Sequence, residues 1–358
     1  MVPTYREAEN LRQLSETIRE VLDQQQIDYE LLVVDDNSDD GTEAIAKELV
    51  AEGHPLRLII RTEERDLSTA VLCGFDEATA TTLLCMDADL SHPPSAIPSM
   101  LETIEQGAEF VIGSRYVAGG STEEGWGLFR WLNSKVATLL ARPFTSAKDP
   151  MAGFFALPRH VYERADTLSP LGYKIALELL VKSKVRQVEE VPIHFSDRAR
   201  GQSKLNLKEQ LNYLVHLKRL ADYKFGNFSR LLQFSAVGTS GMVVDLGCYA
   251  LMLKLGASIA FGRAVAIWIA MSWNLSLNRH VTFQESRSQN AWLQDPPIVA
   301  SCLLGAILNW STNWILVRHV EWFSNHLYVA ALSGILVGTL SNFLISSDSV
   351  FGMKNISD

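Results

Sequence analysis

The chain alternates short apolar runs with amphipathic stretches over about its first 200 residues and then changes character. Apolar runs of strand length at residues 31–34 and 83–86 each lead into acidic, turn-forming residues, and a helical periodicity runs through about Gln24. Strands that alternate with helices predict an open, mostly parallel α/β sheet. Four apolar stretches follow, each about as long as a helix that crosses a bilayer, at roughly 231–253, 259–278, 298–317 and 327–346.

Charged side chains within the apolar half leave two interpretations open. Residues 231–358 contain only six basic and six acidic side chains, but Asp245, Lys254 and Arg263 fall inside the first two stretches. A soluble helical bundle is therefore the alternative to four membrane spans. Five tryptophans lie in or beside these stretches and fit anchoring at a bilayer surface as well as core packing; they are Trp268, Trp273, Trp310, Trp314 and Trp322.

The distribution of charge indicates where each half of the chain lies. Residues 1–197 carry 18 Lys and Arg against 33 Asp and Glu, a formal charge of −15, which excludes nucleic acid as a partner. Residues 198–230 carry eight basic and two acidic side chains and precede the first apolar stretch, so we expect them at an anionic cytoplasmic membrane surface. Leucines near helical spacing over 206–230 predict an interfacial helix, and a plain surface helix of the first domain is the alternative.

The four cysteines and the N-terminal residues add limits on the compartment. Cys73, Cys85, Cys248 and Cys302 show no metal-binding spacing and fit a reducing compartment. No basic segment followed by an apolar core opens the sequence, so we expect no cleaved signal peptide.

Acidic residues at the two strand ends carry the candidate chemistry. Asp87 and Asp89 follow the second apolar run, and carboxylates at the end of a parallel strand suit Mg²⁺ or Mn²⁺ shared with a diphosphate. The alternative is a solvated acidic turn. Asp36, after the first run, could accept hydrogen bonds from a base or ribose, whereas Asp39 and Asp40 fit a loop that caps the helix beginning near Thr42. The positions do not fit a response-regulator pocket or an Asp-x-Asp phosphatase.

An ordered set of motifs makes the first 205 residues similar to the glycosyltransferase family 2 enzymes, and most closely to the polyprenyl-phosphate hexosyltransferases of the dolichol-phosphate mannose synthase type. The motifs lie at Val2–Glu7, Val33–Thr42, Asp87–Pro94, Gly113–Tyr116, Asp149–Phe155 and Arg198–Lys204. The apolar half resembles the GtrA-like four-helix membrane proteins through Phe234–Asp245 and Asn278–Phe283.

The resemblance implies a domain plan. Residues 1–205 are expected to form a GT-A (Rossmann-like) nucleotide-sugar domain of the α/β class, 206–230 an amphipathic linker helix, and 231–358 an all-α domain of four transmembrane helices.

The resemblance also assigns the donor site. It implies that Asp89 is the more direct metal ligand, with Ser91 where relatives commonly have Gln. Arg198 and Lys204 would close over the diphosphate on a loop that bends at Gly201, and attraction to lipid is their alternative role. The nucleotide-sugar ligands implied are Pro3, Tyr5, Glu7, Asp36, Asp87, Arg198 and Lys204. Arg6 stands where relatives often have Asn, and Asp66 stands where Gly is usual.

The acceptor side follows from the chemistry of a lipid monophosphate. Its second pKa is near 6, so at pH 7 it is already a nucleophile and needs a cationic pocket rather than a general base. Arg115, Arg130 and Ser134 match the acceptor-phosphate positions of the family, and the last two are four residues apart on one helix face. Arg130, beside Trp131, could alternatively be a membrane-interface side chain. Direct displacement at the anomeric carbon inverts its configuration.

We therefore expect transfer of a hexose, mannose from GDP-mannose, to a polyprenyl or dolichyl phosphate by a multi-pass protein of the cell membrane whose catalytic domain and termini are cytoplasmic. The alternatives are a glucosyltransferase that uses UDP-glucose, and a lipid-linked sugar carrier or flippase with a non-catalytic soluble half. A processive polysaccharide synthase would have Gln-x-x-Arg-Trp, but Gly127 stands at the Gln position. Association of identical chains is left open.

Overall fold

The structure is a computed structural model that describes residues 1–63, 65–122, 128–169, 174–196, 207–281 and 296–351 of the 358-residue chain. Some helix side chains within these ranges, among them those of 128–132 and 207–208, lie outside the description. The chain divides into two compact units, Met1–Lys224 and Phe225–Asp358.

The first unit is built on parallel strands with one antiparallel insertion. Strands β1, β2 and β3 are parallel neighbours in that order, and β4, β7, β5 and β8 form a second sheet in which β7 is antiparallel to both of its neighbours. Short β6 and β9 pair in parallel. The strands are β1 Val2–Thr4, β2 Leu31–Asp35, β3 Leu56–Ile60, β4 Thr82–Cys85, β5 Phe110–Ser114, β6 Ser121–Thr122, β7 Phe155–Pro158, β8 Val188–Pro192 and β9 His194–Phe195.

Backbone hydrogen bonds at the first residue connect the two larger sheets. The Met1 amino group donates to the Leu84 carbonyl at 2.9 Å, and the Met86 amide donates to the Met1 carbonyl at 3.2 Å. The ends of β1, β2 and β4 therefore lie along one edge, as the alternation of strands and helices predicted.

Helices cover both faces of the sheets. In the first helix, Leu11, Leu14, Ile18 and Leu22 recur at spacings of three and four residues, and all are buried. A second helix begins at Thr42, whose amide and hydroxyl donate to Asp40 in the preceding loop, while Gly41 occupies the N-cap position without a side-chain capping bond. The helices of this unit are α1 Ala8–Gln24, α2 Thr42–Ala51, α3 Leu67–Glu77, α4 Ile97–Glu105, α5 Leu128–Ala141, α6 Arg159–Glu163, α7 Ile175–Lys182 and α8 Leu207–Phe225.

The core fills the space between helices and sheets. On one side, Phe110 stacks on Phe155 at 5.3 Å between ring centres, and Phe75 meets Phe155 edge-on. A second cluster contains Leu11, Val33 and Phe154. These close-packed side chains fix the strands whose ends carry the candidate site.

Helix α8 packs against the rest of the first unit with only part of its apolar surface. Leu217 and Leu220 are buried, whereas Leu211 and Leu214 are exposed. The Tyr213 hydroxyl donates to the Ala137 carbonyl of α5 at 2.7 Å. The helix therefore has packed and exposed apolar positions, and contact of its exposed leucines with a membrane stays a prediction.

The second unit is helical throughout its described part. Its helices are α9 Asn227–Lys254, α10 Ile259–Val281, α11 Pro296–His319, α12 Glu321–Asn325 and α13 Leu327–Phe351. The four apolar stretches of the sequence fall within α9, α10, α11 and α13. Among the described residues, one segment, Ser235–Lys254, is long and apolar enough to cross a membrane, and Leu327–Ser341 is a shorter apolar helix. Four spans therefore remain a prediction.

The charges that weakened the apolar stretches pair with each other. Arg263 of α10 donates through both Nη1 and Nη2 to the carboxylate of Asp245 in α9. Arg263 Nη2 also donates to Asn309 Oδ1 of α11 at 2.8 Å. These charges lie inside the helical unit and connect three of its helices.

Candidate active site

The edge formed by the ends of β1, β2 and β4 carries strained backbone as well as polar groups. Arg6, Asn37 and Leu90 follow these strand ends with φ of 62°, 54° and 63°, in the left-handed region that residues other than glycine seldom adopt. Such conformations persist only where surrounding contacts enforce them, and they cluster at functional sites.

Asp87 and Asp89 lie in the loop after β4 in two different environments. The Asp87 side chain is 29% exposed. Asp89 is buried, and its Oδ1 accepts hydrogen bonds from the Ser91 amide at 3.2 Å and the Ser91 hydroxyl at 2.5 Å. Ser91 therefore fixes the carboxylate that the resemblance assigns to the metal.

Gly153 makes room for the Asp87 carboxylate. A Cβ at this position would lie 3.1 Å from Asp87 Oδ1 and 3.2 Å from Oδ2. The Met-Ala-Gly turn before β7 thus brings backbone against the acidic loop, and a side chain at 153 would displace Asp87.

His92 supports the loop that contains Asp87, a role that the sequence did not indicate. Its Nδ1 accepts a hydrogen bond from the Asp87 amide at 3.0 Å, which requires that nitrogen to be unprotonated. Burial lowers the pKa of His92, while the carboxylates of Asp87 and Asp89 act in the opposite direction. The ring stacks on Phe154 at 5.2 Å between centres. A neutral, packed imidazole therefore positions Asp87.

The acidic loop fits a divalent cation by the chemistry of its donors. Asp87 and Asp89 offer carboxylate oxygens, the ligands that Mg²⁺ and Mn²⁺ prefer, and Gly153 leaves the Asp87 carboxylate unobstructed on one side. Over the part of the chain that the structure describes, no three His, Cys, Asp or Glu side chains gather around a common point. A cation here would have few protein ligands.

Arg115 is held in place by a buried carboxylate. Its Nε donates to Asp149 Oδ2 and its Nη2 to Oδ1, each at 2.7 Å, and Asp149 is fully buried. Burial acts to lower the pKa of the guanidinium, but the hydrogen bonds and charge of Asp149, and more weakly Asp87, raise it overall. This bidentate pair fixes the direction of the arginine.

Ser134 is brought to the same place through Tyr116. The hydroxyls of Tyr116 and Ser134 are 2.8 Å apart, and the Arg115 guanidinium lies 5.2 Å from the centre of the Tyr116 ring. The structure therefore unites two of the three residues expected to bind acceptor phosphate. Arg130 is in α5, one turn before Ser134, and its side chain lies outside the described residues. Arg198 and Lys204 also lie outside them.

Lys174, at the start of α7, is a second residue that sequence reasoning missed. Burial lowers its pKa to about 8, the Arg115 guanidinium acts in the same direction, and the carboxylates of Asp149 and Asp87 oppose them. The lysine therefore belongs to one electrostatic cluster with Asp87, Arg115 and Asp149. Its only sequence signal is a lysine directly before an apolar helix.

Asp36 is tied to an arginine that the sequence did not point to. Arg61, just after β3, donates through Nε at 2.7 Å and Nη2 at 2.5 Å to Asp36 Oδ1, and through Nη1 to the Thr69 hydroxyl. Burial raises the pKa of Asp36, although the hydrogen bonds of Arg61 oppose this. Asp66 caps α3 by accepting from the amides of Ser68 and Thr69. A contact of Asp36 with nucleotide stays a prediction.

The remaining donor-site candidates lie around β1. Pro3 is buried within the strand. The Tyr5 hydroxyl accepts from Arg65 Nη1 at 3.0 Å. Glu7 is at the N-cap position of α1, and its carboxylate accepts from the Asn10 side chain at 2.7 Å. These residues share the strand-end edge with Asp36 and the acidic loop.

Two protein families match the chain, one in each half. The family described as "Glycosyl transferase family 2" matches residues 1–165, and the one described as "GtrA/DPMS, transmembrane domain" matches residues 233–351. A dolichol-phosphate mannosyltransferase from Pyrococcus furiosus is 38% identical over 350 residues, which cover 97% of each chain. The chain belongs to the dolichol-phosphate mannosyltransferase family. It is accordingly a glycosyltransferase with a GT-A catalytic domain and a membrane domain.

Other members of the family match a smaller share of the chain. A dolichol-phosphate mannosyltransferase from Mycosarcoma maydis is 44% identical over 63% of this chain and 79% of its own, and one from Saccharomyces cerevisiae is 40% identical over 63% and 87%. A crystal structure of glucosyl-3-phosphoglycerate synthase from Mycobacterium tuberculosis with Mn²⁺, UDP and phosphoglyceric acid aligns over 63% of this chain and 77% of that one, with 18% identity and a TM-score of 0.47. A likeness this low carries no argument for this chain.

Proposed function

We propose that this glycosyltransferase transfers mannose from GDP-mannose to a polyprenyl phosphate, with inversion at the anomeric carbon. The observation that carries the proposal is the bidentate Arg115–Asp149 pair, with Ser134 brought to Arg115 through Tyr116, in the same unit as the acidic loop of Asp87 and Asp89. A relative whose alignment covers 97% of this chain, at 38% identity, is named a dolichol-phosphate mannosyltransferase.

The acceptor phosphate would bind at Arg115 and Ser134, with Arg130 one helical turn away. Asp149 binds the edge of the Arg115 guanidinium formed by Nε and Nη2 and so fixes the direction of the group. A lipid monophosphate is largely dianionic at pH 7, so it attacks without losing a proton to the enzyme. The role of these residues is to place its oxygen in line with the anomeric carbon and to exclude competing orientations.

The donor diphosphate would lie against Asp87 and Asp89. A bound Mg²⁺ or Mn²⁺ would neutralise charge on the departing diphosphate. Asp89, fixed by Ser91, and Asp87, fixed by His92, would hold that cation. The Lys174 ammonium adds positive charge to the same cluster, and Arg198 and Lys204 are proposed to cover the diphosphate.

The membrane unit would keep the enzyme at its lipid substrate. We propose four spans over α9, α10, α11 and α13, with both termini in the cytoplasm because nucleotide sugars are made there and the basic stretch 198–230 favours that side. Reporter fusions at each terminus test this. A reporter that responds on the outer side for either terminus would rule out the topology.

A glucosyltransferase that uses UDP-glucose is the second candidate. The same phosphate and diphosphate chemistry serves both donors, so the described contacts favour neither base. The names of the relatives favour mannose.

Membranes that contain the full chain, supplied with radiolabelled GDP-mannose or UDP-glucose and a polyprenyl phosphate, test the proposal. We expect labelled lipid from GDP-mannose only, and GDP release that depends on the acceptor. Asp89→Asn should abolish the product, whereas Asp28→Asn, at an exposed carboxylate, should not. Label from UDP-glucose alone would replace the donor assignment, and GDP release without lipid product would contradict the transfer itself.

A further inference from the structure

A cavity with basic lining residues lies in the catalytic unit, apart from the acidic loop. Its volume is about 350 Å³, and it shares no lining residue with the candidate active site. It opens between the end of α5, the loop before β8 and the end of α8. Three of its lining residues are cationic, Arg142, Arg186 and Lys224.

The charge of the lining is unusual for this unit. Residues 1–197 have a formal charge of −15, yet none of the described residues that line the cavity is acidic. Two nearby glutamates are already engaged: Glu109 accepts from Arg164 and from the backbone amide of Arg186, and Glu190 of β8 accepts from the amides of Lys148 and Asp149. A lining that contains Arg142 and Arg186 and no described carboxylate favours an anionic ligand.

Two of these cations also build the walls. Lys224 Nζ donates to the carbonyls of Pro143 and Phe144, and Arg142 Nη1 donates to those of Ser146 and Ala147. The loop after α5 is therefore folded around cationic groups. Burial lowers the pKa of Lys224.

Hydrogen-bond donors remain for a ligand. Within the described residues, Arg142 makes its bonds through Nη1, and no bond or ion pair is formed by the Arg186 guanidinium. Both side chains can therefore offer paired N–H groups, the geometry that matches phosphate oxygens.

The rest of the lining is mixed. Phe144, Leu180, Val185 and Val188 are apolar, and Thr145 and Ser146 are polar. Lys224 precedes the first residue of α9 by three positions, so chain length alone keeps it within about 11 Å of that helix end. Cationic, polar and apolar groups together suit a phosphate ester, whether it is soluble or carried on an amphiphile.

We propose that this cavity binds a phosphate group, presented by an anionic lipid headgroup or by a soluble phosphate ester, at a site separate from that of the acceptor. Arg186 and Arg142 bind the phosphate oxygens, and Lys224 adds positive charge. The cavity thus gives the catalytic unit an anion contact that does not use the catalytic residues.

Native mass spectrometry of the full chain in detergent tests the site, with phosphatidylglycerol and phosphatidylcholine as probes. We expect selective retention of phosphatidylglycerol. Arg186→Gln should weaken that retention by about tenfold, the scale of one charge-assisted contact. It is the decisive variant, because no described contact of the fold depends on its guanidinium. Arg142→Gln should act in the same direction. Arg19→Gln, at an exposed arginine of α1, is the matched control.

Competition by glycerol 1-phosphate identifies the source of the phosphate. Displacement of phosphatidylglycerol by it assigns the pocket to soluble phosphate esters, and retention in its presence assigns it to lipid; both support the site. Equal retention of the two lipids, or equal affinity in the Arg186 and Arg19 variants, overturns the proposal.

Discussion

Each unit of the chain buries an arginine against an aspartate, and the surroundings of the two pairs differ. Arg115 meets Asp149 beside a third charge, Asp87, and beside the buried ammonium of Lys174. Arg263 meets Asp245 with no exposed surface of its own, and its other partners are Asn309 and the carbonyl of Ala331.

The difference separates two uses of the same ion pair. The first pair belongs to a cluster of unlike charges at the candidate site, where a ligand can replace water. The pair in the helical unit is surrounded by helices α9, α10, α11 and α13 and joins them. A buried pair adds little net stability, but removal of one partner leaves an uncompensated charge. The first pair should therefore control reaction and the second assembly of the helices.

The largest effect should come from breaking the pair in the helical unit. Asp245→Asn leaves Arg263 buried and charged, so we expect a loss of about 3–5 kcal/mol in unfolding free energy. Activity per folded molecule should be unchanged. Thermal unfolding in detergent measures the stability, and the transfer rate per folded molecule measures the activity. Glu321→Gln, at an exposed carboxylate of α12, is the control. Normal stability with lost activity would reverse the division of roles.

Removing a carboxylate from the acidic loop should lower activity and leave stability nearly unchanged. Asp89→Ala should lower turnover by about a hundredfold or more, the scale of losing one electrostatic stabiliser, with little change in melting temperature. Transfer assays and thermal unfolding of the same preparation measure both. Excess chelator should silence the wild type, and Mg²⁺ or Mn²⁺ should restore it. Full turnover in chelator would remove the cation from the proposed function.

Arg115 sharpens the comparison because its pair can be loosened without removing the charge. Arg115→Lys keeps a cation but loses the bidentate contact with Asp149, so its head group is no longer aimed. We expect acceptor KM to rise on the order of tenfold while donor binding stays within about twofold. Steady-state kinetics with each substrate varied in turn measure this. Equal effects on both substrates would contradict an acceptor role.

The smallest effect concerns a buried histidine in helix α8. His216 lies 4.0 Å from Glu178, which Lys182 also contacts, and Arg219 is a further neighbouring charge. Burial lowers the pKa of His216, although Glu178 opposes this. The unfolded chain then takes up the proton first, so this contribution to stability is complete above the unfolded pKa of about 6.5 and declines as the pH falls below it.

His216→Leu should remove that pH dependence. Between pH 7.5 and 5.5, the melting temperature of the variant should fall by about 2–4 °C less than that of the wild type. His160→Leu, at an exposed histidine, should behave as wild type. An unchanged slope for His216→Leu would show that the imidazole does not couple the catalytic unit to pH.

The sequence predicted the strand ends better than the contacts made there. Apolar runs that end in carboxylates placed Asp87 and Asp89 on one edge because strand direction and side-chain chemistry are local properties. The partner of Arg115 is 34 residues away, and that of Asp36 is 25. Such pairings depend on how strands are ordered in the sheet. For the same reason, the motifs that contain Asp149 and His92 did not indicate which groups these two residues contact.

The helical unit shows the same limit. Asp245 and Arg263 counted as defects in apolar stretches, since a hydropathy average treats each charge alone. In the structure they neutralise each other across two helices. Lys174 gave less signal still, because only the tertiary fold brings it among Asp87, Arg115 and Asp149.

The left-handed backbone at Leu90 has a consequence for anyone who seeks a hardier form of this enzyme. A leucine with φ of 63° lies between Asp89, the proposed metal ligand, and Ser91, where glycine would relieve the strain. Leu90→Gly would relax the backbone here, but it would remove a side chain that packs against the core. It would also free the loop whose fixed shape aims Asp89, so backbone comfort and the placing of the proposed ligand are set against each other at a single peptide unit.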